Sequence, residues 1–569
     1  MAKRVVIIGG VALGPKVGSR LKRCAPDTEV VLLDKDRRIS YGGCGIPYYV
    51  GGDVSELEEL RKTMYHMVRD EAFFRDVKHF ETRTGKEVLS IDRSNKRVLY
   101  RDVDDGSEEG LEYDELVLAT GATPVLPPLP GTDLPGVFVV SNLHDAERIK
   151  GMLSSGQLDS AVVVGGGAIG LEMAEALTEL WGTETSLVEM LDQVLPGAVT
   201  SLTARMVEKR LGDNGISVYT GTKVSRVLGD EDSGVQAVET SQGRIPCKAV
   251  IFSVGVRPNS HLAEQAGLAL GPNKGVLVNS RLMTSDPHIY AGGDCIEQRN
   301  LVSGDYMILP LGSLANRQGR VIANNIAGCM DHFPGVVSNF CVKVFDHGLA
   351  RAGLTYEQAR QAGYSPSTAF VVQPDRAHFY PDAQLMFMKL VADARTRRIL
   401  GAEAMGPRLD AIKARVDALA PLIGSQADLS EVSNLEVCYS PPFAPAMDIV
   451  NVAGNMMQNV LDGIMYSVEP QEFVELFRTT DCNVLDPRSE AMAKPCVEKY
   501  GSRWINIPLS QVPYRLEEIP GDKPIYVFCN TGTTSFEVQC YLNSVGYTDV
   551  WTVAGSYAAM LHMDPDFVS

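Results

Sequence analysis

Short β-branched apolar runs, each closed by a glycine turn, set the first pattern along the chain. Val5 to Ile8 is one such run, and its unbroken apolar character predicts a strand buried on both faces of a parallel sheet. Gly9-Gly10-Val11-Ala12-Leu13-Gly14 then turns toward a helical stretch. Pro15 stands where that helix should begin, tolerable because an amide in the first turn has no helical partner anyway. A second apolar run, Val30 to Leu33, ends at Asp34, 20 residues beyond Gly14. Strand, glycine turn, helix and strand-end acid together predict a phosphate-cradling unit with a carboxylate for an adenosine ribose. Val11 replaces the second glycine of G-x-G-x-x-G, so the first turn is an imperfect copy of the pattern.

The order recurs without defect. Ala161 to Val164 leads into Gly165-Gly166-Gly167-Ala168-Ile169-Gly170, and Thr185 to Val188 ends at Glu189. Two dinucleotide sites are therefore expected. A carboxylate at Glu189 accepts from a free ribose hydroxyl and repels a 2′-phosphate, and no arginine follows in Met190-Leu191-Asp192. NADH is expected over NADPH on that reading; the alternative is that Glu189 is only a solvated strand end.

At 569 residues the chain exceeds one hydrophobic core, which implies three or four domains. With 71 acidic against 53 basic residues the net charge is -18, which argues against a nucleic-acid surface. No apolar run reaches the roughly 18–20 residues of a membrane helix. The opening MAKRVVIIGGVALG superficially mimics a secretory signal, but its apolar run is short and broken by glycine, so a buried strand and a cytoplasmic protein are expected. Eleven cysteines show neither C-x-x-C pairs nor zinc spacing, so no metal site is expected. They read as reduced thiols, most of them small core residues.

One cysteine stands apart. In "ISYGGCGIPYYVGG", residues 39–52, Cys44 lies among glycines with no second cysteine near it in sequence. Two further stretches, "LVLATGATPVLPPLPG" at 116–131 and "TSDPHIYAGGDC" at 284–295, where Asp294 is read as ending an apolar strand, complete a set. With these in view the chain resembles the two-dinucleotide flavoprotein disulfide reductases. The resemblance implies an FAD site at Gly9, Gly10, Ala12, Gly14, Asp34, Lys35, Val88, Ala119, Thr120, Gly121, Asp294, Leu311 and Ala315. It implies an NADH site at Gly165, Gly167, Ile169, Gly170, Glu189 and Gly255.

The pattern S-x-x-x-C-G-[IL]-P-Y with a following glycine pair narrows this to a resemblance to coenzyme A disulfide reductase and its persulfide-reducing relatives, through Ser40, Cys44, Gly45, Ile46, Pro47, Tyr48, Gly51 and Gly52. Many members carry asparagine before the cysteine, where this chain has Gly43. Ser40, Tyr48, Arg20 and Arg23 are the matching candidates for substrate contact, the arginines for the phosphates of coenzyme A. On charge pattern alone the same arginines read as a solvated helix face. The segments "VKVFDHGLARAGLT", "HFYPDA" and "CYSPPFAPAMD" resemble the family's dimerisation domain, which implies a homodimer in which Tyr380 and Tyr439 reach into the partner's active site. No histidine occurs between His378 and His562, which points away from the dithiol enzymes and their histidine proton shuttle.

Beyond about residue 465, "CNVLDPRSEAM", "WINIPLS", "PIYVFCNTGTTSF" and "LNSVGYTDVWTVAGSY" follow in an order that resembles a rhodanese domain. A strand from Ile525 to Phe528 delivers Cys529 into a loop of small residues ahead of a helix, a setting in which backbone N–H groups cradle a sulfur anion. A buried structural cysteine is the alternative. Thr534 stands where rhodanese loops usually place arginine, so poor thiosulfate activity is expected.

The expected architecture is α/β. It comprises a Rossmann-like FAD domain at 1–150 and 276–335, a Rossmann-like NAD domain at 151–275, an α+β dimerisation domain at 336–455, a linker at 456–466 and a rhodanese-like domain at 467–569. With one cysteine beside FAD the second sulfur comes from outside, and the resemblance implies a Cys44–S–S–CoA mixed disulfide. Electrons from NADH would cleave it so that disulfide, persulfide or polysulfide is reduced, with Cys529 relaying sulfane sulfur. The competing expectation is an NADH oxidase or peroxidase cycling through a Cys44 sulfenic acid, its rhodanese-like domain a non-catalytic docking module. Those relatives usually carry a histidine where Ala12 stands.

Overall fold

The computed structural model describes residues 3–569 and divides into two compact units, residues up to 192 with 215–336, and 193–214 with 337–569. In the first unit, the strand Arg4–Ile8 lies at the centre of a five-stranded parallel sheet, between Glu29–Asp34 and Glu115–Leu118, with Glu81–Thr84 and Ile289–Ala291 outside them. Val5, Val6 and Ile7 are fully buried because both faces of this strand are covered, which is why the run is apolar without alternation. Helix Leu13–Cys24 packs its Val17 and Leu21 side onto the core and lies against helix Gly312–Ile326. It starts two residues ahead of Pro15, which is accommodated within the first turn.

The second glycine turn sits in a sheet of the same design. Ser160–Val164 runs between Glu184–Val188 and Ala249–Phe252, with Ser217–Tyr219 and Val137–Val139 at the edges, all parallel. An antiparallel ribbon of Ala122–Pro124 and Val256–Pro258 joins the two halves. Asp294 does not end a strand. The strand stops at Ala291, and Gly292 and Gly293, the latter at φ 75°, swing the chain into a short 3-10 turn, Gly293–Cys295, that carries the carboxylate.

In the second unit, a five-stranded antiparallel sheet runs in the order Phe340–Val344, His347–Gly353, Ile399–Gly406, Leu385–Asp393, Pro366–Pro374. Helices Leu409–Ser425 and Ile449–Leu461 cover it, the second running through the first part of the segment expected as a linker. The C-terminal part is a parallel sheet with Ile525–Val527 at its centre, Asn483–Asp486 and Trp504–Asn506 on one side and Val550–Val553 and Ser467–Val468 on the other. Phe473, Trp504, Phe528 and Phe567 fill its core. The two sheets are tied within this unit. Lys389, a sheet residue with only 5% of its side chain exposed, pairs at 2.7 Å with Glu469, which also accepts from the Thr368 hydroxyl.

Cysteine burial departs from expectation. Only Cys247, Cys295, Cys482, Cys496 and Cys529 are buried, while Cys44, Cys329, Cys341 and Cys438 are exposed. Cys341 illustrates the reason, since it lies on an edge strand whose alternate residues Val342 and Val344 take the core side. An apolar run does not by itself say which face a residue presents. Among the described residues no helix is long and apolar enough to cross a membrane.

Candidate active site

Both glycine turns are shaped by close backbone approach. At Gly9, with φ 112°, a Cβ would lie 2.1 Å from the Ala119 carbonyl oxygen, and at Gly14 it would lie 2.0 Å from the oxygen of Gly9. In the second turn, a Cβ at Gly165 (φ 108°) would come to 2.5 Å of the Ser253 oxygen, and one at Gly170 to 1.9 Å of the Gly165 oxygen. No side chain fits at these four positions without moving backbone. Around Gly167, by contrast, the space is open, as a site needing close approach of a ligand phosphate requires.

The acids at the strand ends close the turns. Asp34 accepts from the amides of Gly10 at 2.6 Å and Asp36 at 2.8 Å, and Glu189 accepts from Gly166 at 2.7 Å and Leu191 at 2.8 Å. Glu189 is buried, so it is not a solvated strand end. Thr120 and Asn259 bond reciprocally, fixing the chain beside Gly121, which takes φ 66°, as Gly255 takes φ 100°. Ala12 caps the first helix. Ala119, Val88 and Leu311 pack part-buried against the first sheet's core, Ala315 is fully within it, and Lys35 and Ile169 face solvent. Burial alone pushes Asp294 up to about 6, and its carboxylate has no hydrogen-bond partner among the described residues. A half-buried, unpartnered carboxylate fits a ligand hydroxyl.

Cys44 lies on the 3-10 turn Gly43–Gly45, which runs directly into helix Ile46–Gly51. Two glycines let this turn pack tightly, since Gly42 donates to the Leu60 carbonyl and a Cβ at Gly45 would meet the Leu60 side chain at 2.5 Å. Ser40, buried and at φ 54°, donates its amide to Gly10 at 2.8 Å and so hangs the cysteine segment from the first glycine turn. Cys44 is exposed, yet partial desolvation is the largest cause that pushes its thiol up. The Glu172 carboxylate adds to the rise, and the amide of Gly312 at the start of helix Gly312–Ile326 opposes it. Tyr48, expected at the substrate, donates its hydroxyl to Glu172 at 3.3 Å. Arg20 is held by Asn324 at 2.9 Å, whereas Arg23 is exposed.

The other candidates belong to the second unit. Cys529 is 2% exposed, follows the strand Ile525–Val527 and precedes helix Thr533–Ser544. Its Sγ accepts the Gly532 amide at 3.1 Å, and its own amide donates to the Ser556 hydroxyl at 3.1 Å. Thr534 lies in the first turn of that helix, part-exposed. Tyr380 and Tyr439 sit on two exposed loops linked by the Ala377 amide on the Pro441 carbonyl at 3.1 Å.

Sequence reasoning missed Glu172, the Gly312 amide and Ser556. For Glu172 a signal existed, because Glu172 and Glu175 interrupt the otherwise apolar helix sequence AIGLEMAEAL, and an acid in such a run is either exposed or functional.

Residues 3–319 match the model described as pyridine nucleotide-disulphide oxidoreductase, residues 340–450 that family's dimerisation domain, and residues 469–562 the rhodanese-like domain. A curated relative from Pyrococcus horikoshii, an NAD(P)H coenzyme A polysulfide/persulfide reductase, is 32% identical over 458 residues, 80% of this chain and 99% of the relative. Among solved structures, a NAD-dependent persulfide reductase from A. fulgidus superposes with a TM-score of 0.92 at 38% identity, covering 98% of this chain and 99% of that one. The reduced Bacillus anthracis CoADR-RHD gives 0.91 at 31% identity, covering 100% and 99%. A water-forming NADH oxidase from Lactobacillus brevis, at 23% identity, shares the fold over 81% of this chain. The glycine turns, their closing acids and the matches along the chain lead to one assignment: the protein belongs to the pyridine nucleotide-disulphide oxidoreductase family and is an FAD- and NAD(P)H-dependent oxidoreductase.

Proposed function

We propose that the chain uses NADH to reduce coenzyme A disulfide, coenzyme A persulfide or polysulfide at Cys44, within a homodimer whose active sites are shared between subunits. The observation that carries this reading is the thiol itself. Cys44 is exposed, lies among glycines with no second cysteine near it in sequence, and forms no disulfide among the described residues. A disulfide at Cys44 therefore takes its second sulfur from a small molecule. The names of the relatives from Pyrococcus horikoshii and A. fulgidus agree with that chemistry.

Gly9, Gly14, Asp34 and Asp294 would hold FAD, for which the backbone cradle and the unpartnered carboxylate are suited. FAD, when bound, supplies the relay of two electrons from NADH to a disulfide at Cys44. Glu189, closed onto its own turn, would accept from the ribose of NADH and disfavour a 2′-phosphate. The Cys44 thiolate attacks a disulfide or persulfide sulfur, forming a Cys44–S bond and releasing the other sulfur as thiol or sulfide. Arg20 and Arg23 supply cations for the phosphates of coenzyme A. The exposed hydroxyls of Tyr380 and Tyr439 would donate hydrogen bonds to the leaving sulfur across the dimer. Cys529, whose sulfur accepts the Gly532 amide, would collect sulfane sulfur and pass it toward Cys44, with poor use of thiosulfate because Thr534 brings no guanidinium.

Intact mass and released thiols of the purified protein, before and after reductant, test the reading. Coenzyme A released one-to-one from Cys44 is expected. A free or sulfenic Cys44 without coenzyme A would overturn it in favour of the oxidase chemistry.

A further inference from the structure

Helices Leu13–Cys24 and Gly312–Ile326 approach closely at Gly319, where a Cβ would lie 3.1 Å from the Leu13 carbonyl oxygen and from the Lys16 side chain. One turn past Lys16, on the same face, the Arg20 Nε donates to the Asn324 Oδ1 at 2.9 Å. The Asn324 Nδ2 donates in turn to the Asp331 carboxylate at 2.6 Å. We infer that Asn324 is a positioning residue that aims Arg20 and, by standing between it and Asp331, keeps its charge available for a substrate phosphate. The inference rests on the reading that Arg20 supplies a cation for the phosphates of coenzyme A.

The geometry allows the amide one orientation, because its N–H faces a carboxylate and its oxygen a guanidinium. Asn324 is buried, and Asp331 is pinned behind it. The Asp331 amide donates to the Asn325 Oδ1 at 2.9 Å, its carbonyl accepts from the Asn325 Nδ2 at 3.0 Å, and its other carboxylate oxygen takes the His332 amide at 2.8 Å. An arginine in contact with a carboxylate spends its charge on that pair, whereas an amide oxygen accepts the same N–H and leaves the charge whole. Among the described residues no carboxylate pairs with Arg20, and Nε is the one guanidinium atom that the protein holds. The two terminal nitrogens of this half-buried side chain then form the fork that grips a phosphate. The placement suits one extended ligand. Ser40 hangs the Cys44 segment from Gly10, and Arg20 lies about 10 Å along the helix that follows the same glycine turn.

The test compares coenzyme A disulfide with pantethine, the disulfide of the same arm without its phosphates, as substrates of the FAD-loaded protein. Exchanging amide and acid, Asn324→Asp together with Asp331→Asn, keeps shape, net charge and hydrogen bonds but sets a carboxylate against Arg20. The KM for coenzyme A disulfide should rise about tenfold, as loss of one hydrogen bond to a charged group gives, with kcat and the KM for pantethine unchanged. Asn324→Ala, which frees Arg20 to swing, should raise the same KM by a smaller factor, and Arg20→Gln should raise it at least as much as the exchange. A wild-type KM for coenzyme A disulfide in the exchanged form, or an equal rise with both disulfides, would overturn the inference while leaving Arg20 in its place. No preference for coenzyme A disulfide over pantethine in the wild type, or a preference that survives Arg20→Gln, would overturn the reading of Arg20 and the inference with it.

Discussion

Cys44 and Cys529 are both lone thiols beside the start of a helix, yet their surroundings divide the work of holding a sulfur anion in opposite ways. Cys529 is enclosed, and its partners are fixed dipoles: the Gly532 amide on its sulfur and Ser556 on its own amide. Such an environment does not change with pH. Cys44 is exposed, and desolvation with the nearby Glu172 and Asp294 carboxylates pushes its thiol up, against the Gly312 amide. A site that must store sulfur is served by the first arrangement, and one that must alternate between thiolate and disulfide by the second.

The bluntest way to break this comparison is to remove each sulfur. Cys44→Ser is expected to lower disulfide turnover by about a thousandfold or more, as loss of a nucleophile does, while rapid mixing with NADH still bleaches the flavin. Turnover near the wild-type rate would remove Cys44 from the chemistry. Cys529→Ser should lower polysulfide turnover by about tenfold, 1.4 kcal/mol in barrier, and leave coenzyme A disulfide turnover within experimental scatter. Equal loss with both substrates would mean that the two thiols do not differ in role.

Gentler changes sharpen it. Gly532 takes φ 102°, so Gly532→Ala strains the turn that aims an amide at Cys529 and should cost about 1 kcal/mol in urea unfolding. The smallest effect is one of pH. Because burial lifts Glu172 to about 7 from its ordinary value, the folded chain holds a proton there that the unfolded chain has already lost. Stability should therefore fall as pH rises from about 4.5 to 7, by roughly 1 kcal/mol after allowing for partial exposure. Glu172→Gln should flatten that slope in melting curves; a slope unchanged by the substitution would show that the carboxyl titrates normally.

Much of this was legible beforehand for a definite reason. A glycine turn followed by a strand-end acid is a local pattern, set by backbone approach and strand length, so Gly9, Gly14 and Asp34, and Gly165, Gly170 and Glu189, carry their geometry in their spacing. Cys529 followed by small residues and a helix is local in the same way. What sequence did not reveal depends on packing between distant segments: Glu172 meets Tyr48 across 124 positions, and Ser556 meets Cys529 across 27. Asp294 was placed on the right segment and the wrong element, because Gly292 and Gly293 redirect the chain after the strand has ended.

The pairing of Lys389 with Glu469 bears on how far the C-terminal part can be treated as a detachable appendage. A truncation before Glu469 would strand a cation that is almost wholly covered by its own sheet, and such an orphaned charge costs several kcal/mol. Shortened forms would then lose activity through misfolding, whatever the severed part contributes to catalysis. The modularity visible along the sequence is thus not modularity in stability, and the contribution of Cys529 is better read from a single changed atom than from a missing domain.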